Sequence, residues 1–289
     1  MNTEQEIKDM VKQKYSEIAM QDKEINASSC CGSGGQSKEV YNIMSEEYTE
    51  LEGYNPDADL GLGCGLPTQF AKIKKGDTVI DLGSGAGNDC FVARAETGET
   101  GKVIGIDFAE PMINKARTNA EKLGFNNVEF RQGDIENMPV SSNVADVIVS
   151  NCVLNLVPNK EAVFADIFRA LKPGGHFSIS DIVLTGALPD KIKNAAEMYA
   201  GCVASAIDKN EYLSYIDKVG FKNVTIQKDK AIVVPDDILK DYLNDAEIAA
   251  YKSSETVIRS ITVYAEKPSG SIILVETVAN SCSPNTGCC

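Results

Sequence analysis

The chain carries a single histidine, and its 28 Lys and Arg are outnumbered by 42 Asp and Glu, for a formal net charge of -14. Nowhere does it hold the roughly eighteen consecutive apolar residues of a membrane-spanning helix. Its start, Met1-Asn2-Thr3-Glu4-Gln5-Glu6, lacks the basic residues and apolar run of a secretory signal. Each shortage excludes something. The acidic excess repels a nucleic-acid backbone or an anionic membrane surface and favours small, neutral or cationic partners. The missing apolar runs argue against a bilayer span, and with the missing signal they lead us to expect a cytoplasmic protein. The lone His176 opens a predicted strand behind Gly174-Gly175, where packing or surface exposure fits better than proton transfer.

Cysteine, by contrast, is plentiful, with nine in 289 residues. Reducing thiol pools in a cytoplasm would open most structural disulfides, so these residues read as ligands, redox participants or small core side chains. Length and a hydrophobic content of 43% allow one large domain or two ordinary ones.

Ile7, Val11, Tyr15, Ile18 and Ile25 recur at helical spacing, which predicts an amphipathic helix over residues 3–25. A Gly/Ser-rich loop follows with the adjacent thiols Cys30 and Cys31, and a second turn-rich stretch holds Gly63-Cys64-Gly65. From Thr78 short apolar strands alternate with helices, the pattern of a parallel sheet covered on both faces. Strands are predicted at 78–82, 102–107, 128–131, 145–150 and 175–183, with helices near 88–96, 110–124 and 160–171. Lys172-Pro173-Gly174-Gly175 is expected to stop the last of these helices. Beyond Thr185 the alternation is lost. Helices at 189–206 and 209–219 and strands at 223–227, 257–265 and 271–278 then read as a smaller mixed α+β unit ending in a Cys-rich tail. The expected organisation is a helix and Cys loop over 1–37, a doubly wound, Rossmann-like α/β unit over 38–184 and the mixed unit over 185–289.

Thr78-Val79-Ile80-Asp81-Leu82-Gly83-Ser84-Gly85-Ala86-Gly87 places three glycines where a strand turns into a helix, which allows close backbone approach to a ligand. Asn88 stands where a dinucleotide fingerprint would have its third glycine, so a pyrophosphate is disfavoured. Asp107, at the end of the second strand, can accept from two ribose hydroxyls. Asp134, in Gly133-Asp134-Ile135 after the third strand, can accept from an adenine amino group beside the apolar wall of Ile135. Single acids at such places are often plain helix caps, but three of them at successive strand ends beside a glycine turn are not. Met112 fits equally as a plate against the nucleoside or as core filler. Together with Leu171-Lys172-Pro173-Gly174-Gly175, the set resembles class I methyltransferases that use S-adenosylmethionine, a donor with no phosphate to cradle.

The thiols narrow the resemblance. Cys152 follows the fourth strand in Ser150-Asn151-Cys152-Val153-Leu154-Asn155-Leu156-Val157, and strand carboxyl ends are where doubly wound folds bind ligands. Cys202 lies among small residues in Gly201-Cys202-Val203-Ala204. With Gly63-Cys64-Gly65 and Cys30-Cys31-Gly32, these elements resemble arsenite S-adenosylmethionine methyltransferases from about residue 30 to about residue 228.

That resemblance implies a site. Cys152 and Cys202 match the family's arsenic-binding pair, and Cys64 and Cys31 match its amino-terminal thiols, Cys64 as a third ligand and both as candidates for a disulfide relay. Asp81, Gly83, Ser84, Gly85, Asp107, Met112, Asp134, Ile135 and Asn151 would hold the donor. Soft thiolates suit a thiophilic centre, and arsenic bound to them keeps a lone pair that attacks the sulfonium methyl without any proton to remove. The substrate would be arsenite or methylarsenite, and turnover would draw electrons from thioredoxin or glutathione. Cys90 reads as a core residue. Three other readings remain open. A small-metabolite methyltransferase would survive Cys152→Ser, an arsenite-sequestering protein would release no adenosylhomocysteine, and a nicotinamide oxidoreductase would bind the dinucleotide.

Overall fold

The computed structural model describes residues 4–20, 46–193, 203 and 205–270. An amino-terminal helix, α1 (Glu4–Ala19), precedes a turn-rich stretch that contains the short α2 (Pro67–Phe70). The alternating region follows as β1 (Thr78–Leu82), α3 (Asn88–Thr97), β2 (Lys102–Asp107), α4 (Glu110–Leu123), β3 (Val128–Gln132), β4 (Ala145–Asn151), α5 (Lys160–Ala170) and β5 (Leu171–Thr185). Then come α6 (Asp190–Lys193), α7 (Lys209–Val219), β6 (Lys222–Ile232), α8 (Asp236–Lys240), α9 (Asp245–Ser253) and β7 (Val257–Glu266).

The seven strands form one sheet in the order β3-β2-β1-β4-β5-β7-β6. β1 to β5 are mutually parallel, whereas β7 runs antiparallel to both β5 and β6. The order reverses beside β1, so β1 and β4 part at a switch point and leave a crevice at their carboxyl ends, the place where open α/β sheets bind ligands. The central strands are buried on both faces, which is why they read as near-continuous apolar runs. One face packs Ile80, Ile104, Phe164, Phe177, Tyr212 and Phe221 against α5 and α7. The other packs Val79, Val103, Phe91, Met112 and Ile113 against α3 and α4.

Local chemistry sets the helix ends. Pro111 sits in the first turn of α4, and Gly124 closes that helix with a left-handed φ of 67°. Asn159 and Asp208 cap α5 and α7 through their side chains, and α9 begins with an Asn244/Glu247 capping box.

α5 stops at Ala170, as expected. Two expectations are corrected here. β5 does not begin at residue 175. The chain enters β5 at Leu171, opposite Ala145, and the register jumps to Val147 opposite His176, so the Pro-Gly-Gly segment is an irregularity inside the strand. Nor do the late strands stand apart from the first five. β7 pairs with β5 from Glu266 opposite His176 to Val257 opposite Thr185, and β6 extends the same sheet, so residues 222–266 complete the sheet that residues 78–185 begin. Sequence periodicity does not carry this because it shows that a strand exists and not which edge it joins. The helix expected over 189–206 is described only as α6, and the strand expected at 271–278 lies outside the described residues.

Candidate active site

The glycine turn after β1 builds one side of a cleft. Gly83 and Ser84 donate their amides to the carbonyl of Ile106 at 2.8 and 3.0 Å, fastening the turn to β2. Gly83 has a φ of 68°, and a Cβ there would lie 2.3 Å from Val153 Cγ2, so glycine is required by packing as well as by conformation. At Gly85 a Cβ would meet nothing within 4 Å, and its backbone faces an open cleft that a ligand can fill. Ser84 Oγ is buried without a hydrogen-bond partner, a donor and acceptor left over beside that cleft.

Asp107 ends β2 with both carboxylate oxygens engaged, Oδ2 accepting from the Gly85 amide at 3.0 Å and Oδ1 from the Ala109 amide at 2.9 Å. Each oxygen keeps a further lone pair for a hydroxyl. Burial pushes its carboxyl up to about 6, against the opposing pull of those amides. Asp81, also buried, is pushed well above the ordinary carboxylate range by burial and by the nearby charge of Asp89, while the Cys90 thiol donates to its Oδ2 at 3.2 Å. Cys90 is thus fully buried as expected, and it has a polar task as well. Asp81, Gly83, Gly85, Asp107, Met112 and Asn151 all line one cleft with Cys152.

A smaller apolar slot adjoins this cleft and shares Gly83, Asp107 and Val153 with it. Asp134 and Ile135 line the slot, and α1 supplies its other wall through Lys8 and Val11. Asp134 caps the turn that follows by accepting from the Glu136 amide at 2.9 Å, and its Oδ2 receives Lys8 Nζ at 2.7 Å. Lys8 also pairs with Glu136. The amphipathic helix whose partner the sequence left unnamed therefore lies over the slot, with Tyr15 reaching the main cleft. Asp134 is already engaged by a lysine, which its sequence neighbourhood did not signal.

Across the cleft, Cys152 follows β4 with a φ of 61°, a left-handed conformation uncommon for a residue with a side chain. Its amide donates to the Ser180 carbonyl at 2.8 Å, which turns the chain sharply and directs Cys152 toward the cleft. Cys64 and Cys152 are buried in the same apolar cluster, together with Leu156, Ile182 and Val203. Val203 is the chain neighbour of Cys202, while Cys202 itself lies outside the described residues, as does Cys31. Among the described residues no group of three His, Cys, Asp or Glu side chains is placed to hold a metal ion. Behind the thiols, Asp181 accepts from Asn155 Nδ2 at 2.8 Å and from the Tyr212 hydroxyl at 3.3 Å. Burial raises Asp181 to about 7 despite the opposing charge of Lys160.

His176 contacts the Ala71 carbonyl through Nε2 at 2.6 Å and stacks near Tyr264, a packing role far from the glycine turn in sequence. Residues the sequence did not single out also line the main cleft, notably Tyr48, Asp59 and Asp89. An acid in the first turn of α3 was a usable signal for Asp89, since helix starts favour carboxylates. Asp59 came from a stretch read only as turns, and Tyr48 from the segment before it, in which only a short helix was expected.

A model of the methyltransferase domain family matches residues 73–220. The chain is 39% identical over 267 residues to an arsenite methyltransferase of Halobacterium salinarum, covering 88% of this chain and 66% of that protein. It is 30% identical over 239 residues to one from Aquipseudomonas alcaligenes, covering 80% of this chain and 67% of that protein. This chain belongs to the arsenite methyltransferase family. A family member of known structure, an arsenic(III) S-adenosylmethionine methyltransferase from Chlamydomonas reinhardtii, superposes with a TM-score of 0.61 at 32% identity, covering 72% of this chain and 68% of that one. The chain spans just under two thirds of the Halobacterium relative's length. The doubly wound sheet with its antiparallel edge is the methyltransferase fold. Among the described residues no helix is long and apolar enough to cross a membrane.

Proposed function

We propose that this chain transfers the methyl group of S-adenosylmethionine to trivalent arsenic bound by the thiolates of Cys64, Cys152 and Cys202. The observation that carries the proposal is that Cys64 and Cys152, distant in sequence, are buried in one cluster, and that Cys152 also lines the cleft of the glycine turn. Relatives named as arsenite methyltransferases support the same acceptor.

In this reading the backbone of Gly83 to Gly85 and the Ser84 hydroxyl bind the donor, Asp107 takes the ribose hydroxyls, and Met112 packs on the nucleoside. The adenine enters the apolar slot beside Ile135, with Asp134 at its amino group, and Asp81 and Asn151 lie toward the reacting end. Thiol protons leave with arsenite hydroxyls as water while As–S bonds form. The arsenic lone pair then forms the As–C bond as the sulfonium S–C bond breaks, and the departing pair turns the sulfonium into the neutral thioether of adenosylhomocysteine. Arsenic has formally lost two electrons. In the proposed relay the Cys31 thiol gives up its proton and attacks the arsenic-bound Cys64 sulfur, so the S–S bond forms as the As–Cys64 bond breaks and its electron pair returns to arsenic, and thioredoxin or glutathione then reduces the disulfide. No general base is needed, so catalysis comes from alignment of two bound reactants.

The test is anaerobic incubation of the reduced protein with adenosylmethionine, arsenite and a dithiol, with adenosylhomocysteine and arsenic species quantified. Methylated arsenic that disappears in Cys152→Ser and Cys202→Ser is the expected result. Donor binding without any methylarsenical would move the acceptor to an organic metabolite, and repeated turnover without reductant would remove the relay.

A further inference from the structure

Cys64 is held by its backbone, and Asn151 does much of the holding. The Asn151 side chain lies along Gly63-Cys64-Gly65 as a second peptide group would. Its Oδ1 accepts from the Cys64 amide at 3.0 Å, and its Nδ2 donates to the Gly65 carbonyl at 2.8 Å. Glycine is needed on either side. A Cβ at Gly63 would lie 2.6 Å from Asn151 Nδ2, and one at Gly65 would lie 2.5 Å from Ser180 Oγ. On the far side the Ser260 hydroxyl donates to the Cys64 carbonyl at 2.6 Å. Asn151 is also the residue before Cys152, so its backbone carries one thiol while its side chain grips the turn that carries the other.

An amide works in this place in one orientation only, because the flipped form would set NH2 against the Cys64 N–H. Asp89 selects the orientation. Its Oδ2 accepts from Asn151 Nδ2 at 3.3 Å and from the Tyr48 hydroxyl at 2.8 Å, and Asn151 Nδ2 also contacts that hydroxyl. A carboxylate offers acceptors only, so it keeps the NH2 on its own side and leaves Oδ1 facing Cys64. Asp89 is 8% exposed and Tyr48 5%, so little water competes for these bonds.

We propose that Asn151, oriented by Asp89 and Tyr48, is a positioning residue that sets the spacing of the Cys64 and Cys152 thiols and thereby the affinity for trivalent arsenic. The arsenic part rests on the function proposed above. The spacing part does not.

The experiment measures two quantities on the reduced full chain without donor: arsenite affinity, by competition with a dithiol chelator, and the rate at which diamide closes a Cys64–Cys152 disulfide, identified by peptide mapping. Asn151→Asp keeps the acceptor toward Cys64 and sets a carboxylate against Asp89 and the Gly65 carbonyl. It is expected to weaken arsenite binding and slow disulfide closure by about tenfold each. Adding Asp89→Asn restores a donor facing the new carboxylate, and both quantities are expected to return to within about threefold of wild type. Wild-type values in Asn151→Asp alone, or no recovery in the double variant, would overturn the proposal. If Cys64→Ser and Cys152→Ser bind arsenite as tightly as wild type, the arsenic reading fails instead, and the disulfide rates still decide the spacing.

Discussion

The two sides of the cleft are made in different ways. The proposed donor side takes Gly83, Gly85, Asp107, Asp134 and Ile135 from the ends of β1, β2 and β3, consecutive strands that sit side by side in the sheet. The acceptor side takes Cys64 from a turn before the first strand and Cys152 from the end of the fourth. Its Cys64 turn is tied down by Asn151 of β4 and Ser260 of β7. A sheet that places neighbouring strands in chain order presents its end residues as a row, so donor chemistry follows from local motifs. Acceptor chemistry follows from long-range packing, and so its residues are separately removable.

That contrast is broken most directly by deleting a thiol. Replacing the sulfur in Cys152→Ser or Cys64→Ser should cut arsenic methylation by roughly a hundredfold or more, because a hydroxyl is a poor ligand for a soft centre. Donor affinity, followed by isothermal titration, should stay within about twofold. A comparable loss of donor binding would show the two sides to be one unit.

The converse substitution is Asp107→Ala. Losing a charged acceptor should raise the dissociation constant for adenosylmethionine by about ten- to a hundredfold, with arsenite binding to the donor-free protein unchanged. Equilibrium dialysis with each ligand separately measures both.

Titration separates the sides more gently. Asp107 beside the glycine turn and Asp89 behind Asn151 are raised to about 6 and Asp181 to about 7, in each case chiefly by burial. An acid whose folded pKa lies above its unfolded one costs stability when both states are ionised, and it recovers that stability as pH falls through the folded value. The melting temperature of the donor-free protein should therefore rise as pH is lowered from about 8 to about 5. Asp181→Asn should shrink the part of that rise centred near pH 7 and leave the contributions of Asp81, Asp89 and Asp107. A melting temperature that falls over the range, or an unchanged profile in the variant, would contradict the assignment.

The smallest effect belongs to Lys8→Ala. Its partner Asp134 is 43% exposed, so the pair is worth under about 1 kcal/mol and is screened by salt. A severalfold rise in the Michaelis constant for the donor, shrinking at high ionic strength, is expected if α1 closes the adenine slot.

Much of the fold was legible because buried parallel strands are short, apolar and punctuated by turn residues. β1 to β4 and α3 to α5 fall within a residue or two of their predicted bounds. The helix does end just before the Lys172–Gly175 segment, as read, but the start of β5 was placed four residues late because Pro and Gly interrupt helices and strands alike, and only pairing with β4 shows the chain to be extended there. Asn151 was read as a donor residue from its neighbourhood, and it does line that cleft. Its principal hydrogen bonds go to the Cys64 turn, and no local pattern encodes a partner eighty-seven residues away. Tyr48 was missed for the same reason, and the place of Asp89 in the first turn of α3 marks an acid there without naming Tyr48 or Asn151 as its partners.

The linear sequence determined that a doubly wound sheet forms and that a glycine turn without a dinucleotide fingerprint follows its first strand, and it marked the cysteines beside that turn. These depend on periodicity, backbone freedom and residue chemistry within a few positions. Tertiary structure alone decided that β6 and β7 complete the first sheet, that α1 covers the slot beside Ile135, and that Asn151 carries one thiol while gripping the turn that bears another. Those facts are pairings between distant segments, selected by burial and hydrogen-bond satisfaction across the whole core, and no window of the chain contains both partners.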